Sequence, residues 1–317
     1  CGCGSSPAHE LSDVEDRPPR VTRHRSSSPA ARGLAAVGGL ILGVGVLAAL
    51  AFAIVGRGDG SATPTTAPTT NGPPPKPVLR IIFPEGFTID DMAKRIRAVN
   101  KIAEEKRQIT PKLAPRQYLR IAKAKSAPPQ GFEYKKRVAS LEGFLFPATY
   151  DFTEDTTTRQ LVDKQLEAFI RAWSQLDLRY SRSKKLTAYD VLIIASMVEK
   201  EVQVPKERPL VAAVIYNRLH AGLSLGIDAT IRYGLNIPPT EPIHQSELDS
   251  DSPYNTRKFP GLTPTPIANP GLASLQAAAH PAKVDYLYFV RKGDCKSHFF
   301  TASEKEFNDY PRAGLNC

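Results

Sequence analysis

The sequence predicts an α+β protein that follows one N-terminal transmembrane helix. Three observations support this fold class. Residues 33–56 contain no charged side chain, and at about 1.5 Å per residue a helix of this length crosses a hydrocarbon core of about 30 Å. Residues 78–83, VLRIIF, alternate like a half-buried strand, and residues 187–201 form a largely apolar helical segment.

The N-terminal residues predict how the chain is oriented in a membrane. Residues 1–32 are rich in Pro, Ser and Arg and poor in large apolar side chains, so we expect a disordered tail. Five arginines precede the apolar run, whereas only Arg57 and Lys76 follow it closely. This asymmetry predicts a single-pass cell-membrane protein with a cytoplasmic N-terminus and an extracytoplasmic C-terminal part. A cleaved signal peptide fits less well, because no small-residue cleavage site closes the long apolar run.

Composition divides the chain after the apolar run into three parts. Residues 57–77 carry six prolines and five threonines, which predict an extended linker. Residues 78–139 hold 15 Lys and Arg against 6 Asp and Glu, a net charge of +9, whereas residues 140–317 hold 20 against 21. The basic part is expected to meet anionic wall polymers or lipid headgroups, or to be a solvated helix face. We predict no nucleic-acid partner. Within the basic part, Thr88 and Asp91 have the spacing of an N-terminal cap, which predicts a helix that runs to about Asn100.

The helical segment that begins at Thr187 carries the main candidate for a catalytic residue. Thr187 and Asp190 have the spacing of an N-terminal cap, and Pro205 follows the end of the segment. Glu201 continues the apolar stripe of this helix, whereas Glu199 lies on the opposite side. A carboxyl in apolar surroundings favours its neutral form, so Glu201 is predicted to act as a general acid. The alternative is that both glutamates are solvated or paired at the helix end.

The segments after this helix resemble the endolytic murein transglycosylase family, also called YceG-like. They are LSLGIDATIRYGL, SPYNTRKFPGLTPTPIANPG, AAAHPAKVDYLYFV and HFF, and the resemblance covers roughly residues 141–300. It implies a LysM-like subdomain at residues 78–139 and an α+β catalytic domain at residues 140–317. The YLYFV segment is predicted to be a buried strand.

Polar residues in these segments are candidates for lining a sugar-binding site. The resemblance implies that Glu142 and Tyr150 lie against the active site, although an ordinary strand and turn would explain them equally well. Residues 252–256, SPYNT, offer the phenol, amide and hydroxyl groups that suit a sugar ring. The candidate substrate-binding residues are Glu142, Tyr150, Asp228, Ser252, Tyr254, Asn255, Thr256, Asn269 and His298. We expect His298 to be a lining or structural residue and not a metal ligand.

The resemblance also implies a reaction. It is the cleavage of MurNAc–GlcNAc β-1,4 bonds inside glycan strands, which leaves 1,6-anhydro-MurNAc ends, with Glu201 acting first as acid and then as base. The alternatives are a muramidase that uses Asp228 or Glu142 as a second carboxylate, and a non-catalytic wall-binding scaffold. No phosphate-loop, GxSxG, HExxH or CxxC motif is present, so we predict no cofactor. The expected partners are peptidoglycan, the membrane, and cell-wall synthases of elongation or division.

The four cysteines fall on opposite sides of the predicted membrane helix. Cys1 and Cys3 precede it, and Cys295 and Cys317 follow it. Disulfides persist outside the reducing cytoplasm, so we predict a bond between Cys295 and Cys317, with two free thiols as the alternative.

Overall fold

The computed structural model describes residues 76–311. The predicted tail at residues 1–32, the predicted membrane helix at residues 33–56 and nearly all of the predicted linker lie outside these residues, so they stay predictions. No helix within residues 76–311 is both long and apolar enough to cross a membrane.

The first strand, β1 (Leu79–Ile82), buries alternate side chains as its sequence predicts. It leads through a turn at Gly86 into the helix α1 (Ile89–Arg107), where Thr88 and Asp91 form the predicted capping box. The helix runs to Arg107 instead of ending near Asn100. The extra residues are good helix formers, and they include an i,i+4 ion pair between Lys101 and Glu105. Five of the seven extra residues are charged, so little apolar periodicity marks them in the sequence.

Strand β1 pairs with a strand from beyond residue 140. That partner, β2 (Thr149–Phe152), runs antiparallel to it, with Leu79 opposite Phe152. The helices α1 and α2 (Pro115–Ala122) pack in one hydrophobic cluster with both strands and with the start of α3 (Thr158–Trp173). This cluster therefore includes residues from both sides of the predicted boundary at residue 139, and the boundary itself stays a prediction.

The centre of the larger hydrophobic cluster is the helix α5 (Ala188–Glu201), which follows the short α4 (Arg179–Ser183). Thr187 and Asp190 form the predicted capping box, and every residue from 191 to 198 is buried. Each large aliphatic side chain buried there contributes about 1.5–3 kcal/mol. Ser196 is satisfied within this core, because its hydroxyl donates to the carbonyl of Ile193 and accepts from the amide of Ile267.

Two helices pack against α5. A 3-10 turn at Pro205–Glu207 leads into α6 (Arg208–His220), and α9 (Leu272–Ala279) lies against both α5 and α6. The helices α7 (Asp228–Leu235) and α8 (Gln245–Leu248) lie between α6 and α9 in the sequence.

The last elements are a hairpin and a short helix. Strands β3 (Tyr288–Arg291) and β4 (His298–Thr301) pair antiparallel, and α10 (Glu304–Asp309) follows them. The YLYFV segment is a strand from Tyr288 onward, but the predicted burial is wrong, because all five residues of this segment are half-buried. A sheet of two strands leaves much of its surface uncovered, although Arg218 of α6 donates to the carbonyl of Leu287.

Candidate active site

Glu201 is the last residue of α5, where the helix leaves the core. Val198 and Val202 are buried, whereas Glu201 itself is half-buried. Burial raises the pKa of the Glu201 carboxyl to about 7, and the carboxylate of Asp228 adds to this effect. Arg291, the backbone of Ala229 and Arg257 act in the opposite direction. The carboxyl can therefore hold a proton near neutral pH and release it, as a general acid requires.

Asp228 stands beside Glu201, but it is already paired. It is the first residue of α7, and one of its oxygens accepts hydrogen bonds from the Nε and Nη2 atoms of Arg257 at 2.9 and 2.5 Å. About half of each side chain is exposed. Arg257 thus partly balances the negative charge that raises the pKa of Glu201.

Two residues of the 252–256 loop are buried in the fold. The Asn255 amide donates to the carbonyls of Leu248 and Ser250 at 2.8 and 2.9 Å. The Thr256 hydroxyl accepts from the amide of Ile227 and lies 2.9 Å from the hydroxyl of Thr230. These bonds hold the loop to the start of α7, so both side chains are well suited to position the site.

The other two candidates in this loop remain accessible. Ser252 and Tyr254 are half-buried, and the Tyr254 hydroxyl lies 2.8 Å from that of Thr265. The ring of Tyr254 packs at 5.3 Å from the ring of Tyr233. Both rings need the glycine at position 234, since a Cβ atom there would lie 2.5 Å from the Cβ of Tyr254.

Glu142 and Asn269 form a buried hydrogen-bonded pair that joins distant parts of the chain. The Glu142 carboxyl accepts from Asn269 Nδ2 at 2.7 Å, and from the Ile89 amide and the Tyr233 hydroxyl at 3.2 Å. Asn269 Oδ1 accepts from two further backbone amides in the 143–145 segment. Glu142 is 2% exposed, and burial raises the pKa of its carboxyl to about 8.

Tyr150 and His298 also lie inside the fold. The Tyr150 hydroxyl donates to the carbonyl of Phe146 at 2.7 Å, and burial raises the pKa of Tyr150 above its ordinary value. His298 Nδ1 lies 2.8 Å from Glu207 Oε2, and the His298 amide donates to the same carboxylate. Within residues 76–311, no group of three or more His, Cys, Asp and Glu side chains could hold a metal ion.

Sequence reasoning missed the two arginines beside Glu201. Arg257 and Arg291 lie 56 and 90 positions after Glu201 along the chain, and both lower its pKa. The only signal for Arg291 is a charged residue at the end of the YLYFV strand. Glu199 is also largely buried, with a side chain that is 7% exposed, and one of its oxygens accepts from the Gly271 amide at 3.0 Å.

Comparison with known proteins identifies the family of this chain. The sequence model of the YceG-like family matches residues 66–313, which is more than half of the chain. The chain belongs to the YceG-like family. The resemblance that the motifs after α5 indicate is therefore confirmed.

Two curated relatives of this YceG-like chain are named endolytic murein transglycosylase. The protein from Bacillus subtilis (strain 168) is 38% identical over 168 residues, which cover 53% of this chain and 46% of the relative. The protein from Streptococcus pneumoniae (strain R6) is 35% identical over 236 residues, which cover 68% of this chain and 41% of the relative. The chain thus spans less than half the length of these relatives.

A solved structure supports the fold. The crystal structure of a yceG-like protein from Listeria monocytogenes has a TM-score of 0.59 and 28% identity to this chain. The match covers 72% of this chain and 75% of the other. The predicted α+β class is confirmed for the described residues, whereas the LysM-like nature of residues 78–139 stays a prediction. Cys317 lies outside the described residues, so its predicted disulfide with Cys295 also stays a prediction.

Proposed function

We propose that this YceG-like protein is an endolytic lytic transglycosylase of peptidoglycan. It would cleave MurNAc–GlcNAc β-1,4 bonds within glycan strands and leave 1,6-anhydro-MurNAc ends. The relatives named endolytic murein transglycosylase support the reaction class. The observation that carries the proposal is the half-buried carboxyl of Glu201 at the end of α5, whose pKa burial raises to about 7.

In this proposal one carboxyl performs both proton transfers. Glu201 gives its proton to the glycosidic oxygen, and the bond between that oxygen and the anomeric carbon of MurNAc breaks. The C6 hydroxyl oxygen of the same MurNAc then bonds to the anomeric carbon, while its proton passes to the Glu201 carboxylate. No water is consumed and the acid is regenerated. The carboxylate formed between the two steps is favoured by Arg291 and Arg257, which lower the pKa of Glu201.

The surroundings of the other carboxyls favour a lyase over a muramidase. A hydrolase needs a second carboxylate that can act as nucleophile or activate water. Asp228 is engaged by Arg257. Glu142 is 2% exposed and hydrogen-bonded to three groups of the protein. Glu142 is therefore not free to attack a sugar or a water molecule, and the pairing of Asp228 with Arg257 makes its carboxylate a weaker nucleophile or base.

The candidate substrate residues divide into two roles in this proposal. Ser252 and Tyr254 are accessible, and they would contact the glycan. The other seven would position the site. Asp228 is held in its ion pair with Arg257, and the remaining six are buried: Glu142, Tyr150, Asn255, Thr256, Asn269 and His298.

The cellular setting is part of the same proposal. The uncharged run at residues 33–56 would anchor the chain as a single-pass membrane protein with its N-terminus in the cytoplasm. The catalytic part would then stand outside the membrane, where it could act beside the synthases of elongation or division. The basic segment at residues 78–139 would face the anionic wall or the lipid surface.

Substitution of Glu201 tests the proposal. We expect Glu201→Gln to abolish the release of glycan ends from purified sacculi while the protein still folds. Glu167→Gln is the matched control, because it makes the same change at an exposed position on α3, and it should retain the wild-type activity. An active Glu201→Gln protein would refute the assignment. A wild-type protein that cleaves nothing would favour the scaffold alternative.

A further inference from the structure

A groove with a volume of about 650 Å³ lies between α1 and the C-terminal end of α5. None of the residues proposed above to act in catalysis lines it. Its walls carry charges of both signs, from Glu85, Asp91, Lys94, Arg95, Glu199 and Lys200. The face of Phe87 supplies an apolar surface between them. A groove with this lining suits a ligand that carries both a cationic and an anionic group.

The acidic end of the groove is formed by Glu85 and Glu199. The Glu199 side chain is only 7% exposed, and Arg208 Nη2 lies 4.0 Å from one of its oxygens. Glu85 lies close enough to Glu199 that burial and the Glu199 charge together raise the pKa of Glu85. Within residues 76–311 the Glu85 carboxyl accepts no hydrogen bond from the protein. The Lys200 ammonium also lies at this end, where it donates to the carbonyl of Gly86 at 3.3 Å. Within residues 76–311 no cation lies within ion-pair distance of the exposed Glu85 carboxyl, so this carboxyl is available to an ammonium group of a ligand.

Gly271 provides the space for this arrangement. A Cβ atom at position 271 would lie 1.9 Å from Glu85 Oε1, so any side chain there would displace the carboxyl. The Gly271 amide also donates to Glu199 at 3.0 Å. The start of α9 thus brings the two carboxyls together at the end of the groove.

The opposite wall presents cations from α1. The Arg95 guanidinium lies 5.4 Å from the centre of the Phe87 ring, and no carboxylate within residues 76–311 lies within ion-pair distance of it. Lys94 is 75% exposed, and its Nζ atom is 3.7 Å from Asp91. Arg95 is therefore available for an anionic group, and its position over the ring holds it at the groove.

We infer that this groove binds a short zwitterionic peptide, with an ammonium group at Glu85 and Glu199 and a carboxylate at Arg95. This inference rests on the proposed function, because the glycan strands of peptidoglycan carry short peptides with free carboxylates and, in many walls, a free amine. A helix with its side chains is about 10–12 Å thick, and about four extended residues span up to about 14 Å. A peptide of this size attached to a sugar near Glu201 is thus comparable in length with the distance between the two sides of α5.

Calorimetric titration of the full chain tests the inference. The ligand is the synthetic tetrapeptide N-acetyl-L-Ala-γ-D-Glu-L-Lys-D-Ala, whose only amine is that of lysine, compared with the same peptide acetylated on the lysine amine as well. We expect acetylation to weaken binding at least about tenfold, which corresponds to the loss of one charge-assisted hydrogen bond. Equal binding of the two peptides, or no binding of either, would overturn the inference. Because the protein is unchanged in this comparison, a folding defect cannot explain the result.

Two variants locate the site. Glu85→Gln and Arg95→Gln should each weaken binding of the free-amine peptide by about the same factor. Glu167→Gln is the matched control, since Glu167 is exposed on α3 and pairs only with Arg171, and it should bind like wild type. Unchanged binding by Glu85→Gln and Arg95→Gln would show that the peptide binds elsewhere and would overturn the inference.

Cleavage assays separate this inference from the proposed function. On peptide-bearing glycan, Glu85→Gln should raise KM and leave kcat nearly unchanged, whereas on peptide-free glycan it should behave like wild type. Equal effects on both substrates would contradict a peptide subsite. If the wild-type chain binds the peptide but cleaves neither substrate, the proposed function fails and the peptide site stands.

Discussion

Replacing Glu201 with glutamine should stabilise the folded protein by an amount that grows with pH. Burial raises the pKa of this carboxyl from 4.5 to about 7 in the folded state. The folded protein therefore holds the proton more tightly than the unfolded chain does. The favourable contribution of the carboxyl is fully present below pH 4.5 and is lost as the pH rises through about 7. Glutamine cannot ionise, so the variant avoids this loss.

The pKa values set the size of the effect. One pKa unit corresponds to about 1.4 kcal/mol, so ionisation of Glu201 should cost the wild type about 3 kcal/mol at pH 8 and about 1 kcal/mol at pH 5. The variant should therefore gain about 2 kcal/mol more at pH 8 than at pH 5. Other effects of the substitution are the same at both pH values and cancel in this difference.

Urea unfolding at pH 5 and pH 8 measures this difference. Glu167→Gln serves as the control, because Glu167 is 69% exposed and its loss should not change the pH dependence. If wild type and Glu201→Gln lose or gain stability in parallel between the two pH values, the carboxyl is not desolvated. The reasoning that makes Glu201 the general acid would then be refuted.

Three further predictions concern the site and the chain around it. Asp228→Asn removes a negative charge that raises the pKa of Glu201. The alkaline limb of the pH profile of kcat/KM should therefore move to lower pH by up to about 1 unit. A shift of this limb to higher pH would contradict the prediction. Asn269→Ala leaves two buried backbone amides without an acceptor and should lower the free energy of unfolding by about 2–4 kcal/mol. A change below about 0.5 kcal/mol in urea unfolding would argue against the role of Asn269 as their acceptor. Peptide mapping without reduction should recover Cys295 and Cys317 as one linked peptide, and their recovery as free thiols would rule out the disulfide.

The sequence predicts the helices best where caps and apolar patterns agree. The capping boxes at Thr88 and Thr187 are both present, and α5 is buried along the segment that its apolar residues mark. The predicted end of α1 and the predicted burial of β3 were wrong. The C-terminal part of α1 has a helix-forming but polar sequence, and the burial of a strand depends on how many neighbours cover it.

The site was predicted only in part, because much of it depends on contacts between distant residues. Glu142 meets Asn269 across 127 positions. Asn255 and Thr256 are polar residues in a loop, which in a sequence look the same whether they bind a sugar or hold the loop together. In the structure their side chains bond to the chain itself. Arg257 and Arg291 lie in or next to segments that carry the family resemblance, but nothing in the sequence marks these two side chains as partners of Glu201.

The mass of the new glycan ends tests the central claim most directly. Purified sacculi digested by the full chain should yield muropeptides or saccharides that end in 1,6-anhydro-MurNAc, each lighter by one water than the reducing form. The account predicts that these ends dominate with wild type and are absent with Glu201→Gln. A predominance of reducing MurNAc ends would contradict it and would show that the protein activates water.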